Sequence, residues 1–280
     1  MLRTSLMVAT LTLAMNVASA QEASPPSSVA ANAPAAAESE TQQFARARLM
    51  EMARFLGNAD KFSVSLRVAY DVVQENGQKI QFGEIRELAV QRPDRVRILQ
   101  KAGDGTRDMT LFDGKTLTIF DGATAAYAQA PQPGDIDESV VYFVRDLQLR
   151  LPLAPMLMKN FANELQRRVS RVDYVERTDL LGKPAHHIAA RTARADFQVW
   201  IAEGKQPLPL RIVMSYPAEE GQPQFSADFS QWNLSPRFDN ATFRFRPPSD
   251  AKQIVFVVQL QTAQESNTQT DQASDKGVKP

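Results

Sequence analysis

Apolar and polar residues alternate along this chain in two long blocks, and the alternation changes to helical spacing in three places. From Gln42 to Leu56 the apolar residues Ala45, Leu49, Met52, Phe55 and Leu56 recur at helical intervals, with Arg46, Arg48, Glu51 and Arg54 on other faces. Gly57 offers a stop. Phe62, Val64, Leu66, Val68, Tyr70 and Val72 then alternate with Ser63, Ser65, Arg67, Ala69 and Asp71. Period two, followed by Asn76-Gly77, predicts a long hairpin with one wet and one dry face. On the return strand Ile80 and Phe82 are followed by a change of phase at Gly83, so a bulge is expected before Leu88 and Val90.

Further strands are predicted at Arg95–Gln100, Met109–Phe112, Lys115–Phe120 and Ala126–Gln129, separated by the turn-forming Gly103-Asp104-Gly105, Asp113-Gly114 and Asp121-Gly122. Asp135 and Asp137 can cap a helix carrying Val140, Val141, Phe143, Val144 and Leu147. Beyond Leu151-Pro152-Leu153-Ala154-Pro155 a second short helix is expected from Met156 to about Leu165. Strands resume at Val169–Arg177, Pro184–Thr192, Asp196–Ala202, Leu208–Tyr216, Gln224–Leu234 and Thr242–Arg246. Tight connections favour antiparallel neighbours, because parallel pairs need long crossovers. The expected fold is mainly β (α+β): one curved antiparallel sheet forming an incomplete barrel, its concave side covered by the helices.

The chain ends read differently. Arg3, the apolar run Leu6–Val17 and the small residues Ala18-Ser19-Ala20 form a secretory signal pattern, with cleavage expected after Ala20. Residues 21–40, rich in Ala, Ser and Pro, read as a disordered leader, and 261–280 as a disordered polar tail. A single domain is expected over 41–260. Charge is balanced, with 32 Lys+Arg against 32 Asp+Glu, which gives no electrostatic reason to bind nucleic acid. The absence of cysteine excludes thiolate metal sites, a Cys nucleophile and disulfide stapling, so the exported domain must rest on its apolar core. No later apolar run approaches the roughly 18 residues of a membrane span. A periplasmic location without stable membrane insertion follows.

The residues Phe112-Asp113-Gly114-Lys115-Thr116-Leu117-Thr118-Ile119-Phe120-Asp121, Tyr127 and the Leu151-Pro152-Leu153 helix entry resemble the DUF2092 family of exported bacterial proteins. Leu181-Gly182-Lys183-Pro184-Ala185-His186-His187-Ile188, Phe197-Gln198-Val199-Trp200-Ile201, Pro209-Leu210-Arg211-Ile212 and Phe225-Ser226-Ala227-Asp228-Phe229 extend the likeness over residues 42–257. The resemblance implies a fold like that of the LolA and LolB carriers and the RseB regulator. It implies an incomplete barrel with a helical lid over an apolar concavity, and it brings no catalytic residues.

Candidate chemistry is sparse. His186 and His187 are adjacent, so on a strand they face opposite sides and cannot share a metal; His186, in phase with Ile188, is expected to be the more buried. No G-x-S-x-G elbow is present. Asp104, Asp113 and Asp121 suit tight turns better than a carboxylate cluster, and Gly103-x-Gly105 is a turn. No catalytic residue, cofactor or metal is therefore assigned, and an enzyme is not expected. The apolar surplus is more telling. Leu153, Met156, Leu157, Met158 and Phe161 read as a helix apolar on more than one face, either plain core or a lid over lipid-like partners. Opposite it would lie Val64, Leu66, Val68 and Tyr70 with Leu210, Ile212 and Met214. These twelve residues are the candidate ligand-binding set for an acyl chain, such as that of a lipid or lipoprotein. The alternative is an interaction module resembling RseB that binds an envelope protein partner.

Overall fold

The phase of the alternating residues determines which side of the sheet each strand turns inward. The computed structural model describes residues 38–147, 149 and 151–256, so the signal segment, most of the leader and the tail at 261–280 lie outside the described residues. Eleven strands follow the predicted meander: β1 (Lys61–Val73), β2 (Lys79–Gln91), β3 (Arg95–Ala102), β4 (Arg107–Phe112), β5 (Thr116–Asp121), β6 (Ala126–Pro131), β7 (Val169–Leu180), β8 (Lys183–Thr192), β9 (Asp196–Ala202), β10 (Pro209–Ser215) and β11 (Gln224–Asn233). A twelfth, β12 (Lys252–Ile254), completes one open sheet ordered β12-β6-β5-β4-β3-β2-β1-β11-β10-β9-β8-β7. The two halves of the chain thus meet where β1 pairs with β11.

In β1, Phe62, Val64, Leu66 and Val68 are buried while Arg67 faces outward to solvent. At the hairpin tip Gly77 takes a φ of +81°, where a side chain would be strained, and Asn76 accepts the Gln78 N–H at 3.0 Å. The bulge expected at Gly83 is absent: β1 and β2 pair without a break from Lys61 opposite Gln91 to Val73 opposite Lys79. Ile80, Phe82, Glu84, Arg86, Leu88 and Val90 all keep one phase. The apparent slip arose because two charged residues occupy inward positions. Bulges occur instead at Ser63/Ser65, Val169/Arg171, Tyr174/Glu176 and Pro209/Arg211.

Thr242–Arg246 is turn and coil, not a strand. Phe243 and Phe245, two apart, mimic strand alternation, but with Phe238 they pack on Ala89, Met109 and Leu111, residues out of phase with the inner core. Phe245 also meets the rings of Phe120 and Tyr127 at 6.1 and 5.1 Å. This segment covers the outer face and delivers β12 parallel to β6, the one departure from antiparallel pairing among the described residues. The long connection satisfies the crossover requirement that tight turns could not.

The inner side is covered by helices. α1 (Glu40–Gly57) buries Ala45, Leu49, Met52, Ala53 and Leu56 and lies against β7, β8 and β9. α2 (Ile136–Val141) starts in a capping box, with Asp135 accepting the Glu138 N–H and Glu138 accepting the Asp135 N–H, and passes into a π-turn at Tyr142–Asp146. The single helix expected from Met156 is split into a 3₁₀ turn (Ala154–Leu157) and α3 (Phe161–Arg168). Met158 between them is extended, and the Asp137 carboxylate accepts the Lys159 and Asn160 N–H groups at 2.7 and 2.9 Å. Those bonds compete with helix continuation, so Met156, Leu157, Met158 and Phe161 do not form one helical face.

Candidate functional site

Strand phase brings most of the twelve candidate residues together. Val64, Leu66, Val68, Met156, Leu157, Met158, Phe161 and Ile212 belong to the main buried apolar cluster, and Tyr70, Leu153 and Met214 pack against it half-buried. Leu210 is buried at the β10 bulge but falls outside that cluster. Helix α1 contributes Leu49, Met52 and Leu56 to the same cluster, so its side chains fill much of the space over the second half of the sheet.

Over the first half the fit is looser. A small half-open hollow, with a cavity volume of about 30 Å³, lies between the β3–β5 wall and the α2 to 3₁₀ segment. Its wall is Val96, Ile98, Thr110, Phe112 and Leu117; its roof is Ser139, Val140, Phe143, Leu151, Ala154 and Leu157. Of the twelve candidates, Leu157 lines it. Ser139 donates its hydroxyl to Ile136 O at 3.0 Å, leaving a mostly apolar lining. Sequence reasoning did not single out the β3–β5 wall, although Val96, Ile98, Thr110 and Phe112 were all in predicted strands. Which inward positions stay uncovered depends on where α1 ends.

Arg92, in the β2–β3 turn, ties the lid elements together. Its guanidinium donates to Ala59 O at 3.0 Å, to Leu157 O, and to Leu56 O at 3.3 Å. One side chain thereby holds carbonyls from the end of α1 and from the 3₁₀ turn. Burial pushes its pKa down, while Asp137, Asp135 and Asp60 act the other way. Close packing supports the junction: a Cβ added at Gly57 would stand 2.5 Å from Lys159 O.

A polar strip interrupts the inner face beside the hollow. Register places Arg86 opposite Gln100 and Gln100 opposite Asp108, with Glu84 one inward step along β2 and Tyr70 of β1 a further step on, opposite Phe82. Arg86 pairs with Glu84, both side chains about nine-tenths buried, and its guanidinium lies 5.7 Å from the centre of the Phe225 ring. Gln100 donates to Glu84 at 3.4 Å, and Asp108 accepts the Gly122 N–H at 2.9 Å. Burial raises the Asp108 carboxyl above its usual range; the Gly122 bond opposes this, and Asp121, Glu84 and Asp104 add to it. Burial likewise raises Tyr70, with Glu84 and Asp108 reinforcing and Arg86 opposing. Holding the alternation unbroken through β2 would have revealed this strip.

The histidines do face opposite sides, but their burial is the reverse of the expectation. His187 is buried on the outer face, stacked on Trp200 at 3.9 Å and bonded through Nε2 to Gln198 at 3.0 Å. Half-buried His186 meets the Tyr174 hydroxyl at 3.2 Å and the edge of Phe44. Trp200, overlaid by Arg211, supplies the outer cover that alternation alone did not anticipate. Asp104, Asp113 and Asp121 each accept backbone N–H groups within their own turns. Among the described residues no group of three or more His, Cys, Asp or Glu is placed to hold a metal ion, and no helix is long and apolar enough to cross a membrane.

Solved structures with a similar fold include the Pseudomonas aeruginosa MucA/MucB complex (21% identity, 72% of this chain and 61% of that one, TM-score 0.41). The chain thus spans about three-fifths of MucB. Others are the Mycobacterium tuberculosis lipoprotein LppX (12% identity, 70% and 99% coverage, TM-score 0.42) and the LolA superfamily protein NE2245 from Nitrosomonas europaea (11%, 74% and 99%, 0.37). These likenesses are too distant to carry function. No curated protein matches the sequence. The family model for DUF2092, described as predicted periplasmic protein, matches residues 45–257, and with the half-barrel and its helical cover this places the chain in the DUF2092 family.

Proposed function

We propose that this protein is a periplasmic, non-enzymatic binding or carrier protein that accommodates an acyl chain or similar apolar ligand on the inner face of the half-barrel. The observation that carries the reading is the hollow under α2 and the 3₁₀ turn, whose lining is mostly apolar and whose roof is made of short, broken helical pieces. A chain starting there would meet Leu157 and, with the lid displaced, Met156, Met158, Phe161 and Leu153 above the β1 stripe Val64, Leu66, Val68 and Tyr70. Leu210, Ile212 and Met214 would extend that surface into the second half. Each methylene transferred from water contributes about 0.8 kcal/mol, so a chain needs no charged anchor to bind usefully. Solvent extraction of the natively purified protein followed by mass spectrometry is the test, with displacement of the apolar dye N-phenylnaphthylamine alongside. Protein that yields no lipid and leaves the dye dark refutes the proposal.

A second reading, an envelope interaction module, draws on β7, the edge strand of the sheet among the described residues, where Val175 is 49% exposed. Partner capture that survives saturation with dye and is lost in Val175→Lys would favour it. Deletion of 262–280 tests whether the tail takes part.

A further inference from the structure

We propose that the strip formed by Tyr70, Glu84, Arg86, Gln100 and Asp108 is a head-group subsite that selects amphiphiles whose head donates hydrogen bonds, a hydroxyl or an ammonium, over anionic ones. This rests on the acyl-chain reading of the hollow and names what lies at its end. Asp108 precedes Thr110 by two residues on β4, and Gln100 follows Ile98 by two on β3, so each shares the inward face with a residue lining the hollow. At about 3.4 Å per residue, the strip lies roughly 7 Å along the strands from that lining. A chain admitted by displacing the roof, with its end toward Thr110, brings its head to Asp108.

The charges there determine what the head must be. The charge of Arg86 is paired with that of Glu84, to which its Nε donates, and its guanidinium carbon lies 5.7 Å from the centre of the Phe225 ring. One cation faces two carboxylates, Glu84 and Asp108, with Asp121 and Asp104 also felt at Asp108. Asp108 spends one oxygen on the Gly122 N–H and has lone pairs to accept more. An ammonium or hydroxyl placed there gives the carboxylate a donor where solvent is partly withdrawn. A carboxylate or phosphate head would add like charge to the same half-buried group. Tyr70 supplies a hydroxyl at the edge of the strip, and its ring lies 6.1 Å from Phe82, giving the head an aromatic flank.

The experiment compares dodecylamine, monolaurin and laurate, three heads on the same acyl length, as displacers of N-phenylnaphthylamine from the mature full-length protein near neutral pH. The amine and the monoglyceride are expected to displace dye at concentrations about tenfold below laurate. Asp108→Asn, which keeps shape and an acceptor for Gly122, is expected to bring the amine and laurate within about twofold of each other while dye binding persists. The rank order in the unaltered protein decides the matter even if the variant folds poorly. A preference shown by dodecylamine alone narrows the head to a cation, and one shared with monolaurin makes it a general donor. Equal displacement by all three overturns the head-group assignment but leaves the acyl-chain reading standing. No dye binding, or no displacement by any of them, overturns both.

Discussion

Replacing Arg92 by methionine keeps an unbranched stem of similar reach and removes the guanidinium that joins the end of α1 to the 3₁₀ turn. Its two closest bonds go to Ala59 O and Leu157 O, and two longer, weaker ones to Leu56 O at 3.3 Å and Met158 O at 3.5 Å. Bonds to a charged group contribute about 1.5–3 kcal/mol each, and part of that is offset by the cost of withdrawing the guanidinium from water. The net loss in Arg92→Met is then about 2–4 kcal/mol. For a domain of this size each kcal/mol moves Tm by about 2–4 °C, so a fall of roughly 4–16 °C is expected by circular dichroism. Partly exposed Arg95, 3.9 Å from Asp94, serves as the control, and Arg95→Met should shift Tm by less than about 2 °C. Hydrogen exchange locates the effect. The turn amides of Met156 and Met158, bonded to Leu153 O and Pro155 O, should lose protection while β8 and β9 keep theirs. A melting point within about 2 °C of the parent, or loss of protection spread evenly through the sheet, refutes the assignment of Arg92 as the tie.

Three further outcomes are expected. Gly57→Ala improves helix propensity by about 1 kcal/mol but drives a Cβ onto Lys159 O, and overpacking against backbone costs about 1–3 kcal/mol, so urea unfolding should show net destabilisation. Because burial raises the folded-state carboxyl of Asp108, its stability contribution is present at low pH and lost as pH rises through that raised value. Asp108→Asn should therefore raise Tm near neutral pH, with the gain vanishing below the ordinary carboxylate value of about 4; a gain that grows toward acid contradicts the sign. Thr110→Phe projects into the hollow from its wall, and should weaken N-phenylnaphthylamine binding by at least about fivefold without lowering Tm by more than about 3 °C. Unchanged dye affinity would place the binding surface elsewhere.

The alternation of Phe62 to Val72, the Asn76-Gly77 tip, the Asp-Gly turns and the Asp135 to Glu138 capping box are local signals, and the sequence by itself determined them. Each involves residues a few positions apart, so hairpins, turn positions and the phase of β1 were legible before any contact was known. Interactions between distant segments decided the rest. Asp137 breaks the predicted helix by capturing N–H groups of Lys159 and Asn160, more than twenty positions away. Phe243 and Phe245 became a cover for the outer face because Ala89 and Leu111, far back in the chain, leave an apolar surface there. His187 is buried because β9 brings Trp200 alongside it. The candidate site divides in the same way. Parity assigned Val64, Leu66 and Val68 to the inner face, but whether an inward side chain meets α1, the hollow or the polar strip depends on the reach of a separate helix. Alternation reports which side a residue faces, and only packing between elements determines what stands opposite it.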